Sequence, residues 1–205
     1  KNAGASVAHV GFGLLLLGAL ISTSRQNEVS RNTRNMDLRF LNEAFNNSED
    51  ILLYRGDTVL MGQHYVRYHS KRQEGGNLYY DMDYYAAEPR SYMTGDTVRV
   101  GDMLFRAKDA HTAGRFFLGD QPTHWQALED YTRREHWRAR EWSSSKPGAQ
   151  EFALAPFVQL NPRFGNVAEP STRHWLQRDL YTHIRYAKMD PADSTDYMPA
   201  RLYEK

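Results

Sequence analysis

The sequence predicts a mainly β protein: a small antiparallel β sheet or barrel with a helical insertion, preceded by one transmembrane α-helix. Three observations lead there. An apolar run without a charged residue, Ala5 to Ser22, opens the chain. From Ile51 the pattern takes on the period of two that sends successive side chains to opposite faces of a strand. A heavily charged stretch, Pro122 to Trp142, breaks that alternation with helical spacing. The expected boundaries are 1–24 for the spanning helix, 25–50 for a polar connector and 51–205 for a β-rich domain, with an insertion at 92–148.

Composition narrows the classes. With 205 residues the chain has room for one ordinary domain and an appendage. The mean hydropathy of -0.73 averages two different materials and hides the apolar start. Thirteen tyrosines suit strands and amphipathic surfaces. The absence of cysteine excludes disulfides, thiolate metal ligands and a cysteine nucleophile. A formal net charge of +1 lacks the basic excess of a nucleic-acid footprint, so no nucleic-acid partner is expected. Nothing before the apolar run has the basic region of a signal peptide, and neither end carries a terminating signal. The chain therefore reads as an internal fragment.

As a helix, Ala5 to Ser22 would rise about 27 Å, just enough for a hydrocarbon core of about 30 Å. Gly4, Ala8, Gly11, Leu15, Gly18 and Ser22 form a stripe that is small everywhere except Leu15. Such a groove expects another helix, so companion transmembrane helices of the same protein are expected partners. His9 is the one ionisable group in this segment, and an intramembrane imidazole needs a partner. An axial haem ligand, a proton-relay member and an interhelical hydrogen bond all satisfy that need.

Arg25 to Asp50 is polar and asparagine-rich, and Met36 to Phe45 has the spacing of a short helix at Leu38, Leu41 and Phe45. Arg25, Arg31, Arg34 and Arg39 are offset by Glu28, Asp37 and Glu43, so charge does not decide the side of the membrane. Ile51 to Tyr54 and Thr58 to Met61 read as strands around the turn at Gly56-Asp57. Gln63 to His69 alternates, with His64, Val66 and Tyr68 on one face. Glu74 to Asn77 is a hairpin loop, and Leu78 to Tyr85 returns as a Tyr-rich strand. Gly95-Asp96-Thr97-Val98 repeats Gly56-Asp57-Thr58-Val59. Gly62 and Gly101, then Arg67 and Arg106, extend the match. Duplication and shared turn chemistry both account for it. Phe152 to Leu160 and Asp179 to Tyr186 resume strand character.

Few residues suggest chemistry. Among His64, His69, His111, His124, His136, His174 and His183, no pair has the i, i+4 or i, i+2 spacing of metal ligands, so no zinc site is expected. No nucleophile elbow, phosphate loop or dinucleotide fingerprint is present. Asp57 and Asp96 read as turn residues rather than as a carboxylate pair.

Ala8-His-Val-Gly-Phe12 enters the apolar helix, and the β domain closes on Arg173-His-Trp-Leu-Gln-Arg-Asp-Leu-Tyr-Thr-His183. In this order the chain resembles the haem lyase family of bacterial cytochrome c maturation, CcmF with its relative NrfE. In that family a late spanning helix begins His-x-Gly and runs into a periplasmic domain. That domain opens on a Gly-Asp turn before a Tyr-rich strand, as at Gly56-Asp57 to Tyr68, and ends on Arg-Asp-Leu-Tyr, matched by Arg178 to Tyr181. Phe152 to Pro156 and Val158 to Pro162 match the strand and turn upstream. Tyr92 to Gly148 has no counterpart and reads as an insertion.

The resemblance implies a multi-helix protein of the bacterial inner membrane that joins haem to the Cys-x-x-Cys-His motif of apocytochrome c. It implies that His9 is one axial ligand of a haem b, with iron held through one imidazole nitrogen and the second histidine on a helix outside this chain. That haem is thought to reduce the incoming one. No residue of the periplasmic domain inherits a catalytic role. Its implied task is to cover the membrane face or to hold apocytochrome c, the haem chaperone and the thiol-handling maturation proteins. A different class of reading is a single-pass, membrane-tethered β-domain binding module in which His9 only hydrogen-bonds. A secreted enzyme behind a signal-like helix is disfavoured by the lack of any nucleophile and base set.

Overall fold

A computed structural model describes residues 3–24, 27–32, 36–41, 43–185 and 197–205, with side chains along the first helix from residue 7 to residue 20. The fold is mainly β, with antiparallel sheets, a half-barrel and short helices. After helix α1 (Ala3–Ser24) come β1 (Asn27–Glu28), β2 (Ile51–Tyr54), β3 (Thr58–Met61), β4 (His64–Glu74), β5 (Asn77–Pro89), β6 (Ser91–Tyr92), β7 (Thr97–Val100), β8 (Met103–Ala107) and β9 (His111–Thr112). Helix α2 (Phe117–His124), β10 (Trp125–Leu128), α3 (Arg133–Arg138), β11 (Arg140–Glu141) and β12 (Ser145–Leu154) follow. The chain ends with β13 (Phe157–Gln159), β14 (Val167–Glu169), β15 (Ser171–His174), β16 (Asp179–Ile184) and β17 (Tyr197–Glu204).

Helix α1 forms as the composition requires, but the expectation that it spans a membrane is corrected. Among the described residues no helix is long and apolar enough to cross one. Gly11, Gly13, Gly18 and the polar His9 dilute the leucines of its middle. Gly4 and Ser22, the ends of the small stripe, fall outside the described side chains, and Arg25, Arg34, Asn35 and Asn42 of the connector fall outside the described residues.

The expected helix at Met36 to Phe45 is a single 3-10 turn, Leu38–Phe40. Asparagine and aspartate side chains compete with helix here by binding the backbone directly. The Asp37 carboxylate accepts from Arg39 N at 3.0 Å, and Leu38 N donates to Asn47 Oδ1 at 2.7 Å. Leu38 is still buried, with Phe45 and Leu52.

Two compact units emerge, and β4, β5 and β12 each contribute residues to both. Unit 1 comprises residues 1–62, 66–84 and 152–205. One of its sheets has the order β1-β17-β16-β15 with β2 on β17; the other has the order β14-β13-β5-β4-β3 with β12 on β5. The expected alternation is visible in β5, where Leu78, Tyr80, Met82 and Tyr84 are buried, and in β16, where Leu180, Thr182 and Ile184 are. These side chains fill one core with Ile51, Leu53, Val66 and Leu202. The Tyr84 hydroxyl is hydrogen-bonded to Thr182, which satisfies two polar groups that would be costly to bury alone.

Unit 2 comprises residues 63–65 and 85–151. Its sheet runs β10-β8-β7-β11, antiparallel except for the parallel β11–β7 pair, and β6 pairs separately with β9. Tyr92, Val98, Phe105, Ala107, Phe117 and Trp125 make its core. The single helix expected from Pro122 to Trp142 is corrected to helix, strand, helix and strand. Trp125 is only 3% exposed and pairs with Ala107, so long-range burial overrides the helical spacing of the charges around it. Helix α3 restarts where Thr132 and Glu135 form a capping box.

The repeated motif folds alike in each unit. Gly56 N donates to Tyr68 O at 2.9 Å and Asp57 N to Tyr54 O at 3.0 Å. Gly95 N donates to Ala107 O at 2.9 Å and Asp96 N to Met93 O at 3.0 Å. Gly56 and Gly95 take φ of 86° and 91°, and Gly62 and Gly101 take 60° and 58°. These angles are where glycine alone is unstrained.

Candidate functional site

His9 lies on α1, whose described side chains are all exposed. The large apolar ones range from Leu17 at 50% to Leu15 at 74% exposure, on every side of the helix. One turn from His9, a Cβ added at Gly13 would meet nothing within 4 Å. His9 and Gly13 therefore share an open face of the helix. Two axial histidines would need a second helix.

The histidines of the β-rich units separate into two groups. His64 pairs with Glu151 at 3.0 Å, His69 with Asp83 at 3.6 Å and His174 with Asp179 at 3.0 Å. His136 Nε2 lies 3.2 Å from the Gly101 carbonyl. His183 is half-buried, and burial chiefly depresses its pKa. These are local structural contacts. Asp57 and Asp96 each serve their own turn, Asp96 by accepting from Met93 N at 2.9 Å.

His111 and His124 behave differently, because unit 2 brings both onto Asp109. The β8–β10 ladder sets this up: Trp125 pairs with Ala107, and Lys108 N donates to His124 O at 2.9 Å. His124, the last residue of α2, is thereby placed beside the turn that follows β8. His111 arrives on β9, paired with Tyr92. The two imidazoles stack at 4.4 Å with an interplanar angle of 13°. His124 Nδ1 is 2.9 Å from Asp109 Oδ1, and His111 Nδ1 is 3.3 Å from the same oxygen. The Asp109 carboxyl is held below its ordinary pKa, chiefly by the hydrogen bond from His124. Tyr92 and Trp125 wall the inner side, the indole edge-on to His111 at 5.1 Å. The His111 side chain is 5% exposed, and its Nε2 has no hydrogen-bond partner.

The histidine spacing does not announce this cluster, because His111 and His124 are far apart in sequence. The signal that could have found it is Asp109-Ala-His111, a carboxylate and an imidazole at i, i+2. The same unit also has a cavity of about 360 Å³ bordered by Arg106, Arg138 and Arg140, with Asp130 and Glu135 among them. Its mixed charges do not select one ligand class.

In unit 1 the strongest charge cluster is architectural. Asp50 is fully buried and accepts two hydrogen bonds from Arg201, both at 2.7 Å. Glu28 and Glu49 each reach Arg201 at 3.2 Å. The Asp50 bonds raise the pKa of Arg201, and burial followed by the Glu49 contact raises that of Glu28. No family model, curated protein or solved structure matches the chain.

Proposed function

We propose that this chain is part of a haem lyase of bacterial cytochrome c maturation, an inner-membrane protein in which companion helices of the same protein cover α1. His9 holds the iron of a haem b through one imidazole nitrogen, and the β-rich units face the periplasm. The observation that carries this reading is the exposure of α1 from Val7 to Leu20, an apolar surface on all sides with His9 in it. A helix that is apolar all round is stable only when covered. Gly11, Gly13 and Gly18, none with an atom within 4 Å of an added Cβ, allow a helix or a macrocycle to come close.

When bound, haem supplies one-electron chemistry. This chain's part is to bind and orient it. The chain has no cysteine, so the thiols that become thioethers belong to apocytochrome c. The motif at Arg178 to Tyr181 supports a scaffold role for unit 1. Asp179 exchanges backbone hydrogen bonds with Lys205, Arg178 pairs with Glu204 at 3.2 Å, and Leu180 is buried. Those residues close a sheet and leave recognition of apocytochrome c, the haem chaperone and the thiol-handling proteins to the exposed surface.

The test is the haem b content per chain of the full-length protein carrying His9→Ala. The reading expects the haem content to fall. Wild-type haem content in the variant would remove the ligand assignment.

A further inference from the structure

The Asp109 cluster lies apart from the haem proposal and does not depend on it. We propose that Asp109, His111 and His124 form a binding site for a divalent transition-metal ion of the zinc class.

The spacing argues first. Metal bonds of 2.0–2.1 Å in a tetrahedral shell put neighbouring ligand atoms about 3.3 Å apart. The Asp109 Oδ1 to Nδ1 distances of 2.9 Å for His124 and 3.3 Å for His111 approach that edge length. Both imidazoles present the same nitrogen to one carboxylate; the rings stack nearly parallel at 4.4 Å, so a side-chain rotation of the more exposed His124 is needed to aim both Nδ1 lone pairs at one ion. Two imidazoles and a carboxylate suit zinc, copper, nickel or iron(II), and leave a further position open for water or substrate.

The burial of His111 argues second. Its side chain is only 5% exposed, and Nε2 is buried without a partner, so the ring is held polar-side by Nδ1 alone. Nδ1 faces two oxygens, Asp109 O at 3.1 Å and Asp109 Oδ1 at 3.3 Å. With the proton on Nδ1, a bare lone pair is buried at Nε2. With the proton on Nε2, a donor is buried without an acceptor and the Nδ1 lone pair meets two oxygen lone pairs. A cation between the Nδ1 atoms and the carboxylate turns the repulsion at Nδ1 into ligation and leaves the Nε2 proton as it is, buried without an acceptor. Such a ligand needs its imidazole neutral and its proton on the far nitrogen.

The scaffold argues third. The three ligands come from three separately anchored places: the turn after β8, strand β9 and the end of α2. Lys108 ties the turn to the helix end twice, through N to His124 O and through Nζ to Pro122 O, each at 2.9 Å. The backbone that carries the donors is held in place, and only the rings need turn to bind.

The experiment titrates Zn²⁺ into the full protein, stripped by chelator, with calorimetry on wild type, His124→Gln, Asp109→Asn and the control His136→Gln. Asp109 is exposed and His124 partly so, and circular dichroism melts establish that the variants fold. One ion should bind wild type and the control alike, and at least about tenfold more weakly to each ligand variant. Wild-type affinity in folded His124→Gln and Asp109→Asn would overturn the site. So would a folded wild type that takes up no more Zn²⁺ than those variants.

Discussion

Units 1 and 2 carry the same turn and part company immediately after it. Aligning Gly56 with Gly95 sets Tyr68 against Ala107, and the two backbones make the same hydrogen bonds up to that point. Beyond it, Ser70 stands where unit 2 has Asp109, and Arg72 where unit 2 has His111. In unit 1 strand β4 runs on to Glu74, and Ser70 and Arg72 both bond Asp81, an ordinary cross-strand polar pair. In unit 2 strand β8 stops at Ala107, the chain turns, and two imidazoles converge on one carboxylate. One local design thus supports either a continuous strand or a liganding turn. The residues just past the shared frame decide which.

The comparison can be broken most severely by removing what holds each unit. Arg201→Ala leaves the buried Asp50 carboxylate with only Arg185, at 3.5 Å, and the Asn46 amide, at 2.7 Å, and should cost unit 1 about 3 kcal/mol. Trp125→Ala empties the centre of the unit 2 core and should cost about 3–5 kcal/mol there. Amide hydrogen exchange reads these separately, because local protection reports the unit in which it is lost. Each variant should lower protection mainly in its own unit.

Smaller changes sharpen the comparison. If the two turns are one design, Gly56→Ala and Gly95→Ala should destabilise by similar amounts, about 1 kcal/mol each, because both demand positive φ. Unequal chemical-denaturation costs would mean that only the backbone trace is shared. Tyr84→Phe strands the buried Thr182 hydroxyl in unit 1 and should cost about 1 kcal/mol. Thr132→Ala removes the α3 cap in unit 2 at a similar or smaller cost, about 0.5–1 kcal/mol.

Acidity should also separate the units. Burial lowers the pKa of His183 in unit 1 below its unfolded value. Between those two values the unfolded chain binds more protons, so stability is full above the unfolded pKa and falls as pH drops toward the folded one. His183→Gln should flatten that part of the melting-temperature profile, near and below pH 6.5. An identical profile in the variant would show that another group carries the acid sensitivity.

Much of this architecture could be read from residues. The strands around Gly56 and Gly95, the hairpin at Gly75 and the alternation in Leu78 to Tyr84 follow from local chemistry that the fold leaves unopposed. The reading failed where distant contacts or side-chain competition prevailed. Asp37 and Asn47 turned Met36 to Phe45 from a helix into one 3-10 turn, and pairing with Ala107 pulled Trp125 into a strand. The apolar run of α1 suggested a membrane span, yet among the described residues no helix is long and apolar enough to cross one. The Asp109 cluster was invisible to a search for paired histidines, because its geometry depends on a turn and a helix end meeting.

The functional reading rests on α1, at the start of unit 1, rather than on the sheets of either unit, and its most direct test is rescue of the iron's coordination. In the full-length protein, His9→Gly should convert a six-coordinate, low-spin ferric haem spectrum to five-coordinate, and added imidazole should restore it. A six-coordinate spectrum in His9→Gly without imidazole would contradict the assignment of His9 to the iron.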